Sequence, residues 1–101
     1  MERVAFHLEI QEGKREAYRE AHEDVPEALE RAYLESGAGI ERYSVFEGDG
    51  HVFGYLELAD PEALREVMAE SEAQREWDEG PMADVLEPAE DIWLDEVYRM
   101  K

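Results

Sequence analysis

Two alternating runs joined by three turn residues constrain this chain most. Residues 40–47 (IERYSVFE) and 51–58 (HVFGYLEL) both read as strands, and Gly48-Asp49-Gly50 between them makes a tight hairpin. A third run, 3–10 (RVAFHLEI), puts Val4, Phe6, Leu8 and Ile10 on one face and Arg3, Ala5, His7 and Glu9 on the other. Gln11-Glu12-Gly13 ends it. A fourth run, 91–98 (DIWLDEVY), is the expected last strand.

Helical spacing fills the intervals. From 14 to 36, Tyr18, Ala21, His22, Val25, Ala28, Leu29, Ala32 and Tyr33 recur every three or four residues and form one stripe. Pro26 cannot sit inside an unbroken helix, because it lacks the N–H and its ring clashes with the carbonyl four residues back. Asp24-Val25-Pro26-Glu27 reads as a restart, so two segments are expected, 14–23 and 25–36, with a kink between them and Gly37 as C-cap. Asp60-Pro61-Glu62 opens the next helix, in which Leu64, Val67 and Met68 make the apolar stripe. A further segment, 71–79, carries Trp77; residues 82–86 add another turn before Pro88. The order is β-α-β-β-α-β in a single domain over 1–101. That is the ferredoxin-like split arrangement, an α+β fold with a four-stranded antiparallel sheet and helices on one face. Tyr43, Val45, Phe53 and Tyr55 are expected on the other face. They are too large for a fully wet surface, so a second copy packed face to face is expected, giving a homodimer of the dimeric α+β barrel type.

The charge excludes some partners. Twenty-eight acids against ten bases leave −18 among 101 residues. Such a surface repels a phosphate backbone and an anionic membrane, so neither nucleic acid nor membrane is expected as a partner. Eight of the bases are Arg and two, Lys14 and Lys101, are Lys. An acidic, Lys-poor surface suits a protein kept soluble in concentrated salt, where the Debye length falls to roughly 3 Å at 1 M; an ordinary acidic protein is the plain alternative. Cysteine is absent, which excludes disulfides, thiol nucleophiles and thiolate metal sites. With no signal peptide or long apolar span, a cytoplasmic location is expected.

Three histidines are the main candidates for chemistry. His51 follows the Gly-Asp-Gly turn and reads as a solvated loop residue; His7 lies mid-strand. The three lack metal-ligand spacing, with neither HxH nor HExxH, so no metal site is expected. His22 differs, because it follows Tyr18 by four residues on the same helix face and stands just before the Pro26 kink. A bend there leaves room for a small ligand, and an imidazole both gives and takes protons near neutral pH. The plain alternative is a histidine that caps a helix end or packs on a core tyrosine. Tyr18, Tyr43 and Trp77, from three different elements, have the character of a sugar platform, in which rings stack on C–H faces and hydroxyls meet hydroxyls. Each taken singly is equally a core residue.

Several segments resemble the L-rhamnose mutarotase family in order and spacing. They are Arg3-Val4-Ala5-Phe6, Tyr18-x-x-x-His22, Pro26-Glu27-x-Leu29, Gly37-Ala38, Tyr43-Ser44-Val45-Phe46, Phe53-Gly54-Tyr55-Leu56-Glu57, Gln74-Arg75-x-Trp77 and Leu94-x-Glu96-Val97-Tyr98. The resemblance covers nearly the whole chain. It implies a small cytoplasmic homodimer that interconverts the α and β anomers of a small neutral sugar, L-rhamnose or a related 6-deoxyhexose, without metal or cofactor. It further implies that His22 transfers the proton, that Tyr18 and Tyr43 contact the sugar, and that Trp77 packs on the sugar's apolar face. Three positions depart from the family pattern. Glu76 stands where the first of two adjacent tryptophans is common, Val25 where Trp often precedes the proline, and Arg42 where Asn precedes the second-strand Tyr. Two other classes stay open at this point: a non-catalytic dimeric sugar-binding module, and a monooxygenase on the same dimeric barrel.

Overall fold

The computed structural model describes residues 1–101. Its elements run β1 (Glu2–Glu9), α1 (Arg15–Ala21), α2 (Glu27–Leu34), β2 (Arg42–Gly48), β3 (His51–Leu58), α3 (Pro61–Glu70), α4 (Glu72–Glu79) and β4 (Trp93–Leu94). The strands form one antiparallel sheet in the order β2-β3-β1-β4, which is the ferredoxin-like arrangement expected from the sequence. The hairpin turns on Asp49 and Gly50, both at positive φ (53° and 82°), with Gly48 opposite His51. Two left-handed residues match the right-handed twist of the flanking strands, which explains why this loop is so short.

Register assigns the two faces. Val4, Phe6 and Leu8 lie opposite Leu56, Gly54 and Val52, and all of these face the helices. The core joins Phe6, Val52, Leu56 and Leu58 to Leu29 and Tyr33 of α2, Leu64 of α3 and Trp77 of α4. Gly54 is required where it stands, since a Cβ there would meet the Phe6 ring at 2.1 Å. Tyr43 is opposite Leu56 and Val45 opposite Gly54. Both therefore lie on the helix side, which corrects the expectation that they belong to the open face. Side chains alternate strictly along a strand, so a face can be assigned only once a neighbouring register is known. The open face carries Ala5, His7, Ser44, Phe46, Phe53, Tyr55 and Leu94, of which Phe46, Phe53 and Leu94 are exposed.

Other boundaries also moved. The break at Pro26 is a five-residue interruption and not a kink. Proline drives Val25 out of helical geometry, and Pro26 itself is the N-cap (φ −57°, ψ 135°), its carbonyl accepting from Leu29 N and Glu30 N. Asp24 therefore does not cap α2. That helix ends at Leu34, before Gly37 (φ 83°). Asp60 and Ser71 cap α3 and α4 through their side chains. Residues 82–85 form turns and not a helix, and Leu86 forms a β-bridge with Ile10.

The last strand is two residues long, where eight were expected. Ile10 pairs with Leu86, and Phe6 with Trp93; these pairings differ in register by three residues, taken up in the loop containing Pro88. Beyond Leu94 the tail touches β1 through side chains, with Arg3 Nη2 donating to Glu96 Oε1 at 2.7 Å. His51 is the first residue of β3, not a loop residue. No helix is long and apolar enough to cross a membrane.

Candidate functional site

A cavity of about 520 Å³ lies between the sheet and the helices, within the range of small-ligand pockets, about 300–1,000 Å³. Its walls are mostly apolar. Phe6 and Leu8 of β1 contribute from the sheet, and Leu29 and Tyr33, one turn apart on α2, form one wall. Gln74, Trp77 and Asp78 share one face of α4 and form the opposite wall. Tyr18, His22, Tyr43 and Trp77, the four residues singled out in the sequence, all line this cavity.

His22 owes its position to the helix break. It is the C-cap of α1 (φ −81°, ψ −4°); its backbone N–H donates to the Tyr18 carbonyl, and that of Glu23 to the Glu20 carbonyl. Its side chain turns back as well, Nδ1 lying 2.8 Å from the Tyr18 carbonyl oxygen. A carbonyl oxygen can only accept, so Nδ1 carries the proton in this contact. In the neutral imidazole Nε2 is then the free lone pair, and it has no hydrogen-bond partner in the protein. The ring is held between two aromatics. The Tyr18 ring lies 4.2 Å away, tilted by 33°, and Trp77 meets it edge-on at 5.1 Å and 88°. Helix-end capping thus occupies one nitrogen of the ring and leaves the other unpartnered.

The tyrosines divide into free and engaged hydroxyls. Tyr33 donates to Gln74 Oε1, and Gln74 Nε2 donates to Asp78 Oδ1 at 2.9 Å, so α2 and α4 are tied across the cavity. The hydroxyls of Tyr18 and Tyr43 make no hydrogen bond within the protein. Burial pushes each of them up to about 12, so both stay protonated and able to donate well above neutral pH. Desolvation also raises Asp78. The Tyr43 ring is T-shaped to Tyr33 at 5.8 Å and to Phe6 at 6.4 Å, which fixes it as a rigid wall.

A clamp outside the cavity fixes α1, the helix that carries Tyr18 and His22. Glu47 of β2 accepts from Arg15 Nε at 2.7 Å, from Arg19 Nε at 2.6 Å and from Gly50 N at 2.9 Å. The Arg15 hydrogen bond leads the causes that lower Glu47 to about 2. Sequence reading missed this clamp, because its partners are 28 and 32 residues apart. It also missed Tyr33, Gln74 and Asp78 as a connected set. The spacing of Gln74 and Asp78 puts them on one face of α4 but does not show that Tyr33 of α2 meets that face. Of the three departures from the family pattern, Val25 and Arg42 line the cavity, whereas Glu76 is exposed on α4 and does not.

Fold and cavity together define a small ferredoxin-like α+β domain with an aromatic, largely apolar pocket between its helices and its sheet. The family model for L-rhamnose mutarotase matches residues 3–100. The L-rhamnose mutarotase of Bacillus subtilis is 34% identical over 79 residues, covering 76% of this chain and 73% of that protein. The L-rhamnose mutarotase of Formosa agariphila is 26% identical over the full length of both chains. This chain belongs to the L-rhamnose mutarotase family, which places it among isomerase-type enzymes. The crystal structure of an L-rhamnose mutarotase from Formosa agariphila shares its fold, with a TM-score of 0.76 at 24% identity over the whole of both chains. A NIPSNAP-like domain protein from Burkholderia xenovorans shares the fold more distantly, with a TM-score of 0.61 at 13% identity over 98% of this chain and 89% of that one.

Proposed function

We propose that this protein interconverts the α and β anomers of L-rhamnose, or of a related 6-deoxyhexose, with His22 as the acid/base. One observation carries the reading: the unpartnered Nε2 of His22 belongs to a ring lining the same cavity as two tyrosines with free hydroxyls and a tryptophan face. Mutarotation asks for little more. Nε2 takes the proton of the anomeric hydroxyl and returns it to the ring oxygen as the bond from C1 to that oxygen breaks. The open-chain aldehyde turns about C1–C2, and the same two transfers run backwards on the opposite face of the carbonyl. No proton is gained or lost over the cycle. A positioned acid/base contributes about 10²–10⁴-fold to such a step. Tyr18 orients the imidazole and the sugar, Tyr43 binds hydroxyls, and Trp77 packs against the apolar ring face and the C6 methyl group. The substrate is neutral, so the −18 charge does not repel it.

The test is anomer-exchange NMR on L-rhamnose. His22→Ala is expected to slow catalysed exchange by about 10²–10⁴-fold, and equal acceleration by both proteins sinks the assignment. Sugar binding in calorimetry without any accelerated exchange by the wild type supports a binding module instead.

The reading includes a second copy of the chain over the open sheet face. Its support is the row of exposed apolar groups there, Phe46, Phe53 and Leu94, together with Val97 and Tyr98 of the tail, which find no cover in one chain. The acidic, Lys-poor surface supports a high-salt habitat, where counterions screen its self-repulsion.

A further inference from the structure

The sheet face away from the cavity brings together three side chains that the mechanism does not use. Glu9 and His51 stand directly opposite each other on β1 and β3, and His7 is two residues back on the same face. His7 Nε2 lies 3.0 Å from His51 Nδ1, with the rings stacked at 5.2 Å and 23°. Glu9 Oε1 is 3.9 Å from His51 Nδ1. One ligand atom from each of the three residues lies within 4.8 Å of the other two. The Phe53 ring, 4.9 Å from His7, packs on its flank.

We propose that His7, His51 and Glu9 form a site for a divalent transition metal of the Zn²⁺ type. Two imidazole nitrogens bound to one tetrahedral Zn²⁺ at about 2.0–2.1 Å each stand about 3.3 Å apart, within a few tenths of an ångström of the 3.0 Å in this pair. Glu9 is exposed, so its carboxylate is free to turn and close the remaining distance. Two imidazoles and one carboxylate are a donor set for Zn²⁺, Cu²⁺, Ni²⁺ or Co²⁺. They are a poor one for Mg²⁺ or Ca²⁺, which take oxygen ligands. The backbones come from paired strands, which hold such positions more rigidly than loops do. When both rings are neutral, one proton lies in the contact between them. Metal binding moves it to the far nitrogen of its own ring and leaves both facing nitrogens as ligands. The site sits across the sheet from the cavity and is independent of the proposed mutarotase chemistry.

The experiment is a Zn²⁺ titration of the full chain by calorimetry, with Co²⁺ absorption as a spectroscopic readout. Saturable binding of one metal per chain is expected. Outer-shell partners alone are worth about 10–100-fold in metal affinity, so loss of a nitrogen ligand in His7→Ala or His51→Ala weakens binding at least about tenfold. Glu9→Gln weakens it by less, and His22→Ala leaves it unchanged. In wild-type NMR spectra the ring signals of His7 and His51 shift with Zn²⁺ while those of His22 stay, a readout that does not depend on how any variant folds. Absence of saturable binding at millimolar Zn²⁺, binding indifferent to both histidine substitutions, or ring shifts confined to His22 each overturn the proposal. None of those results bears on anomer exchange.

Discussion

The two faces of the sheet are built from the same strands, yet they present opposite surfaces. On the helix side the aromatics are packed at fixed angles around a cavity: Phe6, Tyr18, Tyr33 and Trp77 are all buried. On the open side Phe46 and Phe53 stand at 61% and 47% exposure beside two stacked histidines. Composition does not distinguish these aromatics. What differs is whether an amphipathic helix lands on them, and the helices pack on one face of the sheet only. A buried aromatic row with a gap makes a pocket, whereas an exposed row makes a surface for another molecule.

Truncating one aromatic on each face gives the largest expected contrast. Trp77→Ala should cost about 3–5 kcal/mol in urea unfolding. Phe53→Ala, compared at a dilution where chains are single, should stay within about 0.5 kcal/mol. Similar costs on both sides would erase the distinction. At higher concentration Phe53→Ser is expected to shift a sedimenting dimer toward monomer, and wild type that sediments as a monomer throughout removes the second copy from the open face.

The close approach of Phe6 to Gly54 gives a smaller effect. Gly54→Ala forces the Phe6 ring to move and should cost about 1–3 kcal/mol, together with part of the anomer-exchange rate, because Phe6 lines the cavity. Next comes Tyr33→Phe, which removes only the hydroxyl donated to Gln74. A loss of about 0.5–1.5 kcal/mol is expected, and none at all would show that the tie between α2 and α4 carries no stability.

The last prediction concerns the Glu47 clamp. Glu47 is lowered in the folded protein from 4.5 to about 2 by Arg15, the Gly50 amide and Arg19. Its contribution is therefore complete above about pH 4.5 and is lost as the pH falls toward 2. Glu47→Gln should flatten that part of the acid limb in low salt. An unchanged limb would place the acid sensitivity elsewhere, for instance at Glu96, which is lowered to about 2 chiefly by Arg99.

Much of the fold was legible because short-range chemistry fixes it. The limits of β3 and the hairpin turn could be read from alternation and from Gly48-Asp49-Gly50, and the start of α3 from Asp60-Pro61. The last strand was not legible. Its alternation continues to Tyr98, but strand length depends on a partner edge, and pairing with β1 stops at Leu94. The candidate site was half legible. Tyr18 and His22 share a face by spacing alone, and Tyr43 and Trp77 stood out singly as aromatics suited to a sugar platform. That these four line one cavity, with Tyr33, Gln74 and Asp78 tied across it, depends on contacts between residues tens of positions apart.

By itself, then, the sequence determined the order of strands and helices, that Pro26 breaks the first helical region, and that −18 charges disfavour anionic partners. Each of these follows from properties of neighbouring residues or of the whole composition. Only the tertiary structure decided which strand face meets the helices, that Tyr18, His22, Tyr43 and Trp77 line one cavity, and that His7, Glu9 and His51 meet at all. A strand's two faces are equivalent until a register pairs it with another. The pairing of Glu9 with His51 therefore turns three scattered residues into one cluster, while that of Tyr43 with Leu56 turns a presumed surface tyrosine into a wall of the pocket.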